Sequence, residues 1–171
     1  ALAPDENLAI WLRDVTLSIV RRSVEDWVGP WFRNHELTLP IGHLETSHLC
    51  LAVAVALDLA PDVFSGSERE EVMSVLRERG IPLCLRWLDH DSRLNNWRCI
   101  LTCGLAVSSA VLNEREMMER AAKEFQLCTQ AFQPDGSYSE SLQYSNYAAY
   151  GLMLTYEALV RRDPDFKDKL N

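Results

Sequence analysis

Residues 44–59 read LETSHLCLAVAVALDL, and the nine from Leu49 to Leu57 (Leu49-Cys50-Leu51-Ala52-Val53-Ala54-Val55-Ala56-Leu57) carry no polar side chain. Two readings compete for such a run, a buried strand and a buried helix. The apolar stretch is longer than a typical strand, and its alanines favour helix over the pleated surface that β-branched residues prefer. The segment therefore predicts a helix over roughly Leu44 to Leu59, buried on most sides, with Pro61 closing it.

The flanking sequence follows the same rule. Leu8, Trp11, Leu12, Val15, Ile19 and Val20 recur at three- and four-residue spacing, which predicts an amphipathic helix stopped at Gly29-Pro30. Ser67 stands three residues before Glu70 and just ahead of Val72, Val75 and Leu76, a capping-box pattern opening a third helix toward Trp87, with Pro82 as a kink or break. A fourth starts near Asn95-Asn96-Trp97 and carries Ile100, Leu101, Leu105, Val107, Val111 and Leu112. Asn113, with Glu116 three on, repeats the capping pattern for a fifth helix through Phe125, Leu127 and Phe132. Pro134-Asp135-Gly136-Ser137 has the chemistry of a turn, and a sixth helix follows from about Ser145 to Val160, ended by Asp163-Pro164. No run shows sustained strand alternation. The expected class is all-α, a single domain over 1–171 of three antiparallel helix hairpins. The hairpins recur at roughly forty residues without a helical-repeat consensus, a rhythm that suits an α/α toroid of which three hairpins form about half the ring.

Bulk composition narrows the function. With 17 Lys plus Arg against 25 Asp plus Glu, the net charge of −8 disfavours a nucleic-acid groove, although a few focused arginines can still hold one carboxylate. No run of about eighteen uncharged apolar residues predicts a membrane span. Cys50, Cys84, Cys99, Cys103 and Cys128 are odd in number, sit in apolar runs and form no C-x-x-C pair, so buried free thiols are expected rather than a disulfide framework or a metal site. His35, His43, His48 and His90 are scattered, and His48 is the least trivial because it interrupts the apolar helix. No cofactor signature is present.

Two loops break the amphipathic rule by being polar and aromatic where helices begin. One is Arg93-Leu94-Asn95-Asn96-Trp97-Arg98; the other runs from Pro134 through Glu140 to Tyr147 as PDGSYSESLQYSNY. In an up-down array the starts of the fourth and sixth helices fall at the same end, so amide, phenol, carboxylate and guanidinium groups converge on one rim. Each residue also has a plain structural reading. Asn95 or Asn96 is a natural helix cap, Tyr138, Tyr144, Tyr147 and Tyr150 suit a half-buried helix face, and Glu140 is favourable beside a helix start.

Together the two loops resemble the heparinase II/III-like polysaccharide lyases and their alginate-lyase relatives. There an Asn-Asn-Trp or Asn-Asn-His element opens one toroid helix, and a P-D-G-S-Y-x-E segment followed by spaced tyrosines opens a later one. The matches here are Asn95-Asn96-Trp97, then Pro134 to Glu140 with Tyr144 and Tyr147, within a likeness covering roughly residues 40–160. The resemblance implies β-elimination on a uronic-acid-containing polysaccharide such as alginate or a glycosaminoglycan. It makes Asn96 the residue that neutralises the substrate carboxylate and Tyr144 the proton-transfer residue. Asn95, Trp97, Arg98, Glu140 and Tyr147 become substrate-binding or rim-holding residues. Trp97 stands where some relatives carry a histidine, and Ser141-Leu142-Gln143 and Ser145 replace small residues and a tryptophan. Set against the family, residues 1–171 are expected to cover only the earlier toroid helices, without the later ones or the C-terminal β-sandwich.

The expectation is therefore part of a lyase toroid, with an incomplete site unless a second copy or a further portion closes the ring, acting on acidic polysaccharide in the periplasm or outside the cell. A different class, a non-catalytic helical module binding glycan or protein, predicts the same helices without turnover. A toroid glycosidase ranks last, because it needs two carboxylates across a cleft and only Glu140, Asp91 and Asp135 are on offer.

Overall fold

The apolar run 44–59 is a helix, α3 (Leu44–Leu59), in a computed structural model that describes residues 5–29 and 39–170. Pro30 and His35 lie outside the described residues. Before α3 come α1 (Glu6–Val20) and the short α2 (Val24–Val28). After it come a 3-10 turn (Pro61–Val63), α4 (Gly66–Val75), α5 (Ile81–His90), α6 (Asn96–Leu112), α7 (Arg115–Thr129), α8 (Leu142–Arg162) and α9 (Phe166–Leu170). The chain is all-helical; among the described residues the extended pairing is limited to a bridge between Phe132 and Tyr138.

The architecture is organised around α6. From Arg98 to Ala110 every residue of this helix is buried, as expected of a segment with no charge between Cys99 and Ala110. Small residues let its neighbours approach. A Cβ on Gly104 would lie 2.8 Å from Ser47 Cα of α3, and one on Gly151 of α8 would lie 2.9 Å from the Cys99 carbonyl oxygen. Ser47 Oγ also donates to the Ile100 carbonyl. These contacts put α3, α6 and α8 side by side and parallel, with their N-termini at one end. Behind them α5 and α7 run the opposite way. Arg98 in the first turn of α6 reaches the Leu88 carbonyl near the end of α5 and Glu124 in the later half of α7.

Local chemistry corrects several expected boundaries. The first helix ends at Val20 rather than at Gly29, and its inward residues are Thr16, Leu17 and Val20, leaving Leu8 and Trp11 about 60% exposed. The capping box lies two residues earlier than Ser67/Glu70: the Glu68 N–H donates to Ser65 Oγ at 3.3 Å, and Glu68 accepts from the Ser65 N–H at 2.8 Å. Both pairs fit the pattern, but Arg13 of α1 also holds Glu68, so tertiary contact selects that register. Pro82 does not break its helix. A π turn over Leu76–Gly80 widens the backbone just where the missing N–H and the proline ring would otherwise disrupt an α turn.

Asn113 ends α6 instead of opening α7. It adopts a left-handed conformation (φ 58°), which asparagine tolerates at a C-cap, and its side-chain oxygen accepts from Arg162 at 2.9 Å. Phe132 falls past the end of α7 and packs on Tyr138 with ring centroids 4.8 Å apart. The last long helix begins at Leu142, three residues before Ser145, because Ser141 Oγ accepts from the Tyr144 N–H. All five cysteines are buried free thiols. No helix among the described residues is long and apolar enough to cross a membrane.

Candidate active site

The two polar loops meet at the N-terminus of α6. Asn95 is the cap: its side-chain oxygen accepts from the Arg98 N–H at 3.2 Å. That leaves Asn96 in the first helical position, 2% exposed. Its backbone N–H donates to Glu140 Oε2 at 3.0 Å, and its side-chain Nδ2 donates to Oε1 at 3.0 Å and Oε2 at 2.9 Å. The Tyr138 hydroxyl donates to the same Oε2 at 2.8 Å.

The turn that delivers Glu140 is built locally. Gly136 takes a φ of +81°, which glycine adopts without strain, and Asp135 Oδ1 accepts from the Ser137 N–H at 2.9 Å. The Phe132–Tyr138 packing then fixes the strand-like return. Burial pushes the Glu140 carboxyl upward, but the hydrogen bonds from Asn96 and Tyr138 outweigh it and hold the group below its ordinary value. Burial and the bond to Glu140 push the Tyr138 phenol well up, so it remains a donor. One atom is left out of this network. Asn96 Oδ1 is buried without a hydrogen-bond partner among the described residues, a costly state for a carbonyl.

A second set of side chains lies over α6, between the first turns of α3 and α8. Tyr144 is half exposed. One helical turn on, the partly buried Tyr147 hydroxyl sits 2.6 Å from His48 Nε2, with the rings stacked at 5.9 Å. Burial pushes the Tyr147 phenol up to about 12, and the negative charge of Glu45 adds to the rise. Glu45 also pairs with His43 Nδ1, and the buried His43 ring meets Trp97 edge-on at 4.2 Å.

The structure thus brings Asn95, Asn96 and Glu140 together and sets Tyr144 and Tyr147 on the neighbouring helix. Trp97 packs between His43 and Trp87, whose ring lies 6.1 Å away. Arg98 is 7% exposed, and its guanidinium is committed to Glu124 at 2.9 Å, Leu88 O at 3.1 Å and Asp91 O. It braces the rim from below. Two contributors escaped the sequence reading of the site. Tyr138 stands inside the quoted motif and was readable there, whereas the only hint for His48 was an imidazole interrupting an apolar helix.

The carboxylates weighed for a glycosidase do not make an acid–base pair. Asp91 is held low by Arg93 against the opposing effect of burial, Asp135 by the Ser137 backbone, and Glu140 by its network. A general acid for glycoside hydrolysis needs a raised carboxyl.

A family model described as alginate lyase matches residues 75–169, a span that holds both polar loops and all of α6, α7 and α8. No curated protein matches the chain.

Proposed function

The chain belongs to the alginate lyase family, and on that premise we propose that it acts on a uronic-acid-containing polysaccharide by β-elimination. One observation carries the proposal: Asn96, Glu140 and Tyr138 join the two motif loops, 44 residues apart between Asn96 and Glu140, into one network at the end where three parallel helices begin.

The chemistry explains the residue types. The C5 proton of a uronate is weakly acidic because the adjacent carboxylate resists further negative charge, so donors placed against that carboxylate stabilise the enolate-like transition state. Asn96 fills this role. Its amide nitrogen carries two protons and donates to both Glu140 oxygens, so serving a substrate carboxylate requires one of those bonds to be exchanged for the substrate. Tyr144 is the proton-transfer residue and protonates the departing glycosidic oxygen. Glu140 orients the Asn96 amide. Asn95 and Arg98 hold the rim, Trp97 shapes its floor, and Tyr147 lines it beside Tyr144.

The motif pairing further supports a heparinase II/III-like affiliation. The parallel layer of α3, α6 and α8 backed by antiparallel α5 and α7 supports reading the fold as part, about half, of an α/α toroid. Polymer substrates of this kind favour a periplasmic or secreted location. Exposed Leu8, Ile10 and Trp11 support self-association with a second copy.

The test is a panel of alginate, heparan sulfate, hyaluronan and chondroitin, followed by ultraviolet absorbance of the unsaturated uronate product. A rise with one polymer, lost in Tyr144→Phe, is the expected result. Binding without product from any of the four would favour a non-catalytic glycan-binding module, a reading consistent with the depth at which Asn96 is buried.

A further inference from the structure

The elimination requires a base as well as a donor and an acid, and with Asn96 as donor and Tyr144 as acid that role is still unassigned. We propose that Tyr147 is that base and that His48 is the proton acceptor that enables it, an assignment that rests on the lyase reading and completes it.

The geometry points there from several sides. His48 comes from α3 and Tyr147 from α8, so the 2.6 Å contact spans 99 residues of sequence and bridges the two helices that flank α6. The rings are stacked, with 29° between their planes, which holds the hydroxyl on the imidazole nitrogen. The backbone beneath is tightly set, since neither Gly104 nor Gly151 has room for a Cβ. His48 caps no helix and joins no ion pair, and its other ring nitrogen has no hydrogen-bond partner among the described residues. It is exposed, so the imidazolium can exchange a proton with water and return to the tautomer with a free Nε2. Tyr144 lies three residues before Tyr147, on the same face of α8.

The protons and electrons balance without a further reactant. The C5 proton passes to the Tyr147 oxygen as the Tyr147 proton passes to His48 Nε2. The electron pair of the C5–H bond becomes the C4–C5 double bond, and the C4–O bond breaks with its pair on the leaving oxygen. That oxygen takes the Tyr144 proton. His48 then releases its proton to water, and Tyr144 regains one from water. The imidazole is needed because a phenol in these surroundings does not ionise unaided. Burial, the Glu45 carboxylate on α3, and Cys103 on α6 and Tyr150 on α8 all oppose the phenolate. Imidazole is the side chain that exchanges a proton near neutrality.

The experiment compares wild type, His48→Gln, His48→Ala and Tyr147→Phe on whichever uronate polymer the chain cleaves. His48→Gln and Tyr147→Phe should each lower kcat at least about 100-fold, the scale of a lost proton-transfer group. KM should stay within roughly twofold, because uniform binding is untouched. Added imidazole should restore part of the His48→Ala turnover, which a purely structural role would not allow. Melting temperatures should match wild type, since His48 is exposed. If His48→Gln or Tyr147→Phe keeps full kcat while Tyr144→Phe abolishes product, the assignment is overturned and the lyase reading stands. If wild type yields no product from any polymer, the lyase reading falls and takes this assignment with it.

Discussion

The Glu140 carboxylate accepts from both the backbone N–H and the side-chain amide of Asn96, at 2.9–3.0 Å, and so closes the end of α6 with a residue from the loop before α8. The contact has a pH signature. Glu140 is held below its ordinary value in the folded state, so its network stabilises the protein above the unfolded carboxylate range. That contribution disappears as pH falls through the depressed folded-state value. Glu140→Gln should therefore cost about 0.5–1 kcal/mol at neutral pH, a modest loss because water screens the exposed carboxylate, and the gap to wild type should narrow on acidification. Other low carboxylates, such as Glu68 at about 2, titrate in both proteins and drop out of the difference. Urea melts of the two proteins across an acid pH series measure it. A gap that stays constant with pH would contradict the assignment.

Asn95 and Asn96 should separate cleanly. Asn95 supplies the helix cap, so Asn95→Ala should lose about 1 kcal/mol, with Asn95→Asp retaining most of it. Asn96 supplies the amide, so Asn96→Ala should abolish turnover on a cleaved polymer. Its stability loss should track the Glu140 bonds instead of the cap. Paired measurements of melting temperature and product formation distinguish the two positions.

Arg98 and Glu124 form an ion pair with both side chains less than a tenth exposed. Glu124→Ala strands the buried Arg98 guanidinium and should cost about 3–5 kcal/mol, whereas Arg98→Ala should cost less, because Arg120 still pairs with Glu124 at 2.9 Å. The double change Arg98→Ala with Glu124→Ala should cost less than the sum of the single losses, since it leaves no unpaired charge and Arg120 keeps Asp89 as a partner. A double-mutant cycle in urea reads this coupling directly.

Gly104→Ala should destabilise by about 1–3 kcal/mol, because the new methyl meets the Ser47 backbone at 2.8 Å and Cys84 Sγ at 3.0 Å. The clash pushes α3 off α6 and carries His48 with it, so product formation should fall further than stability alone explains. Gly66→Ala is the control. Nothing lies within 4 Å of its Cβ position, and the change should stabilise by about 0.4–1 kcal/mol.

The helices were legible because their signals are local. The run Leu49–Leu57 is too long and too rich in alanine for a strand, and Asn95-Asn96-Trp97 opens α6 within a residue of where it was expected. Boundaries failed where a neighbour chose between equivalent patterns. Ser65/Glu68 prevailed over Ser67/Glu70 through Arg13 of α1, and Asn113 became a C-cap held by Arg162 of α8. In the candidate site, the residues Asn95, Asn96, Glu140, Tyr144 and Tyr147 were all visible in two short motifs.

Arg98 and His48 mark the dividing line. Residue type, spacing and capping chemistry act over one or two helical turns, and they alone determined the all-helical class and the two polar loops. They carry no information about which side chain a helix turns toward a partner far along the chain. Packing of α6 between α3 and α8, allowed by Gly104 and Gly151, turned Arg98 inward onto Glu124 and set His48 against Tyr147. Those pairings depend on close contact between helices remote in sequence, which only the tertiary structure decides.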